Sequence, residues 1–132
     1  MTTTYFLNNI IGNVFKSKTD PPLPSEYYIG LSTTAPDLSG TNVTEPSGGN
    51  YSRVLLTGLS EPKNGLITNT SDIEFPETTD DWGTITHYVV YDSKVGGNLL
   101  MYEAFENSRL IQAESQARFK SRSLTFSLNN IE

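Results

Sequence analysis

The chain has no cysteine, which excludes a disulfide framework and any thiolate-based site. It has a single histidine, His87, and a single tryptophan, Trp82. Zinc sites collect several His or Cys ligands, so one chain offers no such set, and a histidine triad would need three chains around an axis. His87 therefore reads as a satisfied side chain between aromatic neighbours. There is no Gly-x-Ser-x-Gly elbow for an acyl-transfer serine. Gly96-Gly97 reads as a hairpin turn, not as a phosphate cradle. No apolar run reaches the length of a membrane span, and the start lacks the basic and apolar regions of a signal peptide. Charge is scarce as well: 18% of residues, with a net charge of −6. An acidic chain is a poor match for nucleic-acid phosphates and for anionic lipid surfaces. The expectation is a protein with no cofactor, no metal, no nucleic acid and no membrane partner, and no catalytic activity.

The residues present are those of short strands. One segment reads as a helix: Phe6, Leu7, Ile10, Ile11, Val14 and Phe15 recur at helical spacing, giving one apolar stripe. The Thr2-Thr3-Thr4 run supplies cap hydroxyls, and Lys16 and Lys18 follow where cations favour the helix dipole. Asp20-Pro21-Pro22-Leu23-Pro24 ends the helix, because a proline disfavours helical backbone in the residue before it. The stripe packs either on this domain's own sheet or against other copies or a host particle.

Beyond the linker, strands are expected over 26–33, 51–57, 66–75, 84–91, 99–105, 110–114 and 117–128, separated by turn signals such as Asn64-Gly65. In the run from Thr84 to Tyr91, Ile85, His87, Val89 and Tyr91 fall on one face and Thr86, Tyr88 and Val90 on the other. Both faces carry apolar residues, which marks a central strand. Thr34 to Asn50 contains Pro36, Gly40, Pro46, Gly48 and Gly49 and reads as a long exposed loop, of the kind that usually serves a function. This pattern predicts an all-β fold: an antiparallel sandwich of jelly-roll type with one N-terminal α-helix. Residues 1–20 would form the helix and linker, and 21–132 a single β-sandwich domain.

Three further features invite a site. Asp72, Glu74, Glu77, Asp80 and Asp81 lie close in sequence but lack the spacing of a calcium loop, so they read as solvated surface. Arg118, Lys120 and Arg122 alternate along the expected last strand and would line one face. That row serves either as a charged strand edge that discourages pairing or as a contact for carboxylates on a partner. Trp82 reads as a plug at one end of the fold or as a platform for a sugar ring. Asn42, Asn50 and Asn69 each open an Asn-x-Ser/Thr triplet, which in a chain rich in these residues is expected by chance.

Several segments together carry a resemblance: Tyr28-Ile29-Gly30-Leu31-Ser32-Thr33-Thr34-Ala35-Pro36, Glu45-Pro46-Ser47-Gly48-Gly49-Asn50-Tyr51-Ser52-Arg53-Val54, Phe75-Pro76 followed by Asp81-Trp82-Gly83-Thr84-Ile85-Thr86-His87-Tyr88, and the turn Gly96-Gly97-Asn98-Leu99-Leu100. In order and spacing they resemble short phage proteins usually labelled tail fibre proteins, and similar proteins act as head decoration (cement) proteins. The resemblance implies a virion structural protein, assembled in the host cytoplasm and working as a homo-oligomer, with a trimer expected. Its partners would be itself, major capsid or tail proteins and, for a tail tip, a host receptor or glycan. The residues expected to bind partners are Phe6, Ile10 and Val14 on the helix, Pro36, Pro46 and Tyr51 in and beside the long loop, and Arg118, Lys120 and Arg122.

Overall fold

The structure, a computed structural model, describes residues 1–129. The helix α1 spans Thr4–Phe15. The Thr3 hydroxyl accepts the Phe6 backbone N–H at 3.3 Å, the capping expected of this run. The same hydroxyl lies within hydrogen-bond reach of the Leu99 and Leu100 carbonyls, at 2.8 and 3.1 Å. Thr2 and Thr3 are fully buried, and Thr2 forms an isolated bridge to Met101. The cap thus also ties the helix to the sheet. At the other end Ser17 takes a φ of 53°, and the Gly12 carbonyl accepts backbone N–H groups from both Lys16 and Lys18.

The strands are β1 (Tyr28–Ser32), β2 (Val54–Leu55), β3 (Ile67–Thr68), β4 (Ile73–Glu74), β5 (Gly83–Tyr91), β6 (Leu99–Ile111), β7 (Arg118–Phe119) and β8 (Thr125–Phe126). All pairings are antiparallel. One four-stranded sheet has the order β2-β1-β5-β6, and two ribbons pair β3 with β8 and β4 with β7. The expected central strand is the central β5. The core lies between one face of the sheet, bearing Ile29, Leu31, Ile85, Tyr88 and Val90, and the ribbons, bearing Ile73, Phe75 and Leu124. Tyr88 is the hub: Phe105, Phe119 and Phe126 all pack around it with ring centroids about 6 Å away. Burial pushes its phenol up to about 12, with the Glu103 carboxylate adding to the shift.

The strand expectations need four corrections. The segments 99–105 and 110–114 merge into the single long β6, while 66–75 and 117–128 each break into two short strands. The faces of β5 do not alternate throughout. Ile85 pairs with Arg109 and His87 with Ala104, so the ladder slips between them. That irregularity turns Ile85 to the same side as Tyr88 and Val90, while Val89 and Tyr91 pack with Leu99 on the other.

Candidate functional site

The long loop is closed by its own polar side chains. Asp37 accepts hydrogen bonds from the Thr41 backbone N–H, the Thr41 hydroxyl and the Ser39 hydroxyl at 2.6 to 2.9 Å. These bonds, those from Thr41 first, lower its carboxyl to about 2. The Ser32 hydroxyl accepts the Thr44 backbone N–H at 3.1 Å, and the Thr34 hydroxyl meets that of Thr44 at 3.0 Å. The far end of the loop is pinned by Trp82, whose ring nitrogen donates to the Gly49 carbonyl at 2.9 Å.

A charged clamp joins this loop to β2 and to the turn before β6. Arg53 is 7% exposed. Its Nε and a terminal nitrogen reach the two Glu45 carboxylate oxygens at 2.8 and 2.9 Å. The other terminal nitrogen donates to the Ser93 and Gly96 carbonyls at 2.8 and 2.7 Å. The guanidinium lies 3.5 Å above the centre of the Tyr91 ring, a stacking that arginine's planar cation favours. The Tyr51 hydroxyl donates to Glu45 at 2.7 Å and accepts the Leu31 N–H at 2.9 Å. Burial, with the Glu45 charge, pushes the Tyr51 phenol far up. The clamp needs Gly30 beneath it, since a Cβ there would stand 2.6 Å from the Tyr51 oxygen and 2.7 Å from a Glu45 oxygen. An open cleft beside Arg53 is lined by Tyr28, Leu55, Pro76 and Lys94. Four of the five Arg53 N–H donors are committed within the chain, and its charge is paired with Glu45.

A second network explains the broken last strand. Asn69 is fully buried. Its amide nitrogen donates to the Ser71 and Lys120 carbonyls, its amide oxygen accepts the Leu124 N–H, and its backbone carbonyl accepts the Arg122 N–H. This forces a turn at Ser121-Arg122, with Arg122 at a φ of 65°. Arg118, Lys120 and Arg122 therefore do not line one strand face. Arg118 pairs loosely with Asp72 at 4.0 Å, and all three are exposed. The burial of Asn69 also removes the glycan reading of its triplet.

Other expected site residues divide between burial and exposure. Trp82 is 4% exposed and packs edge-on to Tyr51 and Phe75, so it is a plug and not a sugar platform. Pro36 is buried, Pro46 and Tyr51 are half-buried, and the latter two border one open cleft with Arg53. His87 is half-buried with Nδ1 2.8 Å from the Thr86 hydroxyl. Burial draws its pKa down, and Glu103 opposes this. Among the described residues, no three His, Asp or Glu side chains converge as metal ligands.

On α1, Phe6 is buried edge-on to Tyr27, and Leu7 and Ile10 are half-buried. Asn9, also buried, donates to the Pro21 carbonyl at 2.8 Å, and Asn13 joins it there at 3.2 Å. Ile11, Val14 and Phe15 are 50%, 62% and 78% exposed. The apolar stripe therefore divides, with its first half on the domain and its second half uncovered. The Arg53–Glu45 clamp and the Asn69 staple were missed from sequence. A lone arginine inside an expected strand of a chain poor in cations was the available signal for the first; the triplet reading obscured the second.

These side chains hold loop to strand and strand to strand, the chemistry of a structural protein. The chain belongs to the family described as podophage GP4 fiber I protein gp80, which matches residues 1–127. It is thus a phage fibre structural protein and a component of the virion. No curated protein matches the chain.

Proposed function

We propose that the protein is an accessory structural protein of the virion, a short appendage or head decoration fixed to other particle proteins by its N-terminal helix. The exposed triad Ile11, Val14 and Phe15 carries this reading. Three large apolar side chains at i, i+3 and i+4 expose on the order of a few hundred Å² on a short helix, the size of the largest patch on a typical monomer, which is often functional. The helix and linker of residues 1–20 serve as the attachment unit, and the β-domain beyond them as the displayed body, assembled in the host cytoplasm. The expected homotrimer is assigned to the β-domain, where the outer strand β6 is largely exposed from Glu103 to Leu110. The receptor- or glycan-binding tip is the weaker reading, because Trp82 is buried and its ring nitrogen already bonded.

Gold-labelled antibody on intact particles tests the placement. Label at a defined head or tail position is expected, and unlabelled particles would overturn the reading. Sedimentation of the purified protein at three times the 14.6 kDa chain mass is the expected result for the trimer, and the mass of a single chain would refute it.

A further inference from the structure

Removing residues 1–20 whole would not isolate the helix's role, because Thr2 and Thr3 are fully buried against β6. The outer half of α1 can be separated from the fold, and its chemistry says more than that it docks. From Thr4 to Phe15 the helix carries no charged side chain. Burying it therefore desolvates no ion, which is the costly part of burying a surface. Cations follow at once: Lys16 and Lys18, both exposed, on a chain whose net charge is −6. Gly12 sits inside the same segment. A glycine there costs helix stability relative to alanine, and the fold gives no reason for it. Its φ is not positive, and an added Cβ would find only the Lys18 side chain, at 3.4 Å. A glycine beside exposed apolar side chains lets another backbone approach closely.

Resting on the reading that the protein is fixed to the particle by α1, we propose that Ile11, Gly12, Val14 and Phe15, with Lys16 and Lys18, seat in an apolar groove with a carboxylate rim on a different protein of the particle. A second copy of this chain fits less well. Two such helix ends facing each other would bring four lysines together, with only the Asp20 of each chain beside them as counter-charge. A patch of a few hundred Å² also falls short of the roughly 800 Å² per partner of a stable interface. A groove that wraps the helix buries more of it, as in helix-in-groove recognition.

The test is complementation of a phage lacking the gene with full-length variants, followed by quantification of the protein in purified particles. Val14→Ser/Phe15→Ser should lower incorporation at least tenfold while leaving Tm and the solution mass unchanged. Lys16→Glu/Lys18→Glu should lower it several-fold, with the loss deepening at low salt, where like charges repel most. Gly12→Ala should raise Tm yet lower incorporation, a pairing that a purely structural glycine would not give. Val95→Ser removes a similarly exposed side chain (84%) from a turn and should leave incorporation unchanged. Full incorporation of Val14→Ser/Phe15→Ser would overturn the docking face. A fall in solution mass for the same variant would show a second copy as the occupant and overturn the assignment to a different protein. Absence of the unsubstituted protein from particles would instead sink the underlying reading, and that outcome is distinct from either.

Discussion

The loop from Thr34 to Asn50 and the outer half of α1 are opposites. The loop is polar, rich in turns and without a strand, yet Asp37, Ser39, Thr41, Thr44 and Glu45 all find partners within the chain. The helix end is regular and largely apolar, yet Ile11, Val14 and Phe15 stay 50%, 62% and 78% exposed. Polarity in a loop states that hydrogen bonds are required, not that solvent provides them. Apolar periodicity states that a helix has a side to bury, not which molecule buries it. The loop is thereby bound to its own domain, whereas Ile11, Val14 and Phe15 at the helix end stay exposed.

The sharpest way to break this contrast is to cut the clamp that holds the loop. Arg53→Met should cost about 3–5 kcal/mol, because Glu45 would be left charged and unpaired in a sheltered site and the Ser93 and Gly96 carbonyls would lose their donor. Urea denaturation measures this. Adding Glu45→Leu should recover part of the loss, since the uncompensated charge goes with it. A single-variant cost below about 1 kcal/mol would mean that the loop stands without its clamp. The next effect is smaller. Trp82→Phe should cost about 1–3 kcal/mol, as the Gly49 carbonyl loses its bond and the core loses volume.

The legibility of these regions differs for physical reasons. β1 and β5 were readable because period-two runs of β-branched and aromatic residues have few other uses. The slip between Ile85 and His87 was not, since it depends on the partner strand. Neither were the two breaks around Asn69: a buried amide that bonds to Ser71, Lys120 and Leu124 acts across some fifty residues of sequence and leaves no local pattern. The Arg118–Lys120–Arg122 row failed for the same reason, its alternation being real in sequence but interrupted by that staple. On the helix, periodicity located the stripe and its cap, but where burial stops depends on the distant residues that cover the helix, such as Tyr27 on Phe6 and Pro21 on Asn9. The virion class was legible from the spacing of short motifs, whereas the clamp, a well-sheltered charge pair, was not.

On the helix side the contrast predicts a gain. Gly12→Ala should stabilise the fold by about 0.5–1 kcal/mol, because alanine loses less backbone entropy in a helix and the site has room for a methyl group. Thermal unfolding reads it directly. A destabilisation would show that the chain's own packing needs the glycine, and would remove the reason to look for a partner's backbone there.

The finest test lies in the loop and concerns Asp37. Its carboxyl sits on the exposed side of the turn, so burial does not explain a pKa of about 2 against an ordinary 3.8; the hydrogen bonds from Thr41 and Ser39 do. The folded loop holds the proton less readily than the unfolded chain does. The stabilisation is therefore complete above pH 3.8 and is lost as pH falls through about 2. Carboxyl-carbon NMR across this range should show Asp37 titrating near 2, well below the ordinary 3.8. Thr41→Val should bring it back towards 3.8, because the hydroxyl donor is gone while the backbone donor remains. Titration near 3.8 in the unsubstituted protein would mean that solvent, not the chain, satisfies this loop. The loop would then stand beside the helix end as a second open surface, and the contrast between them would fail.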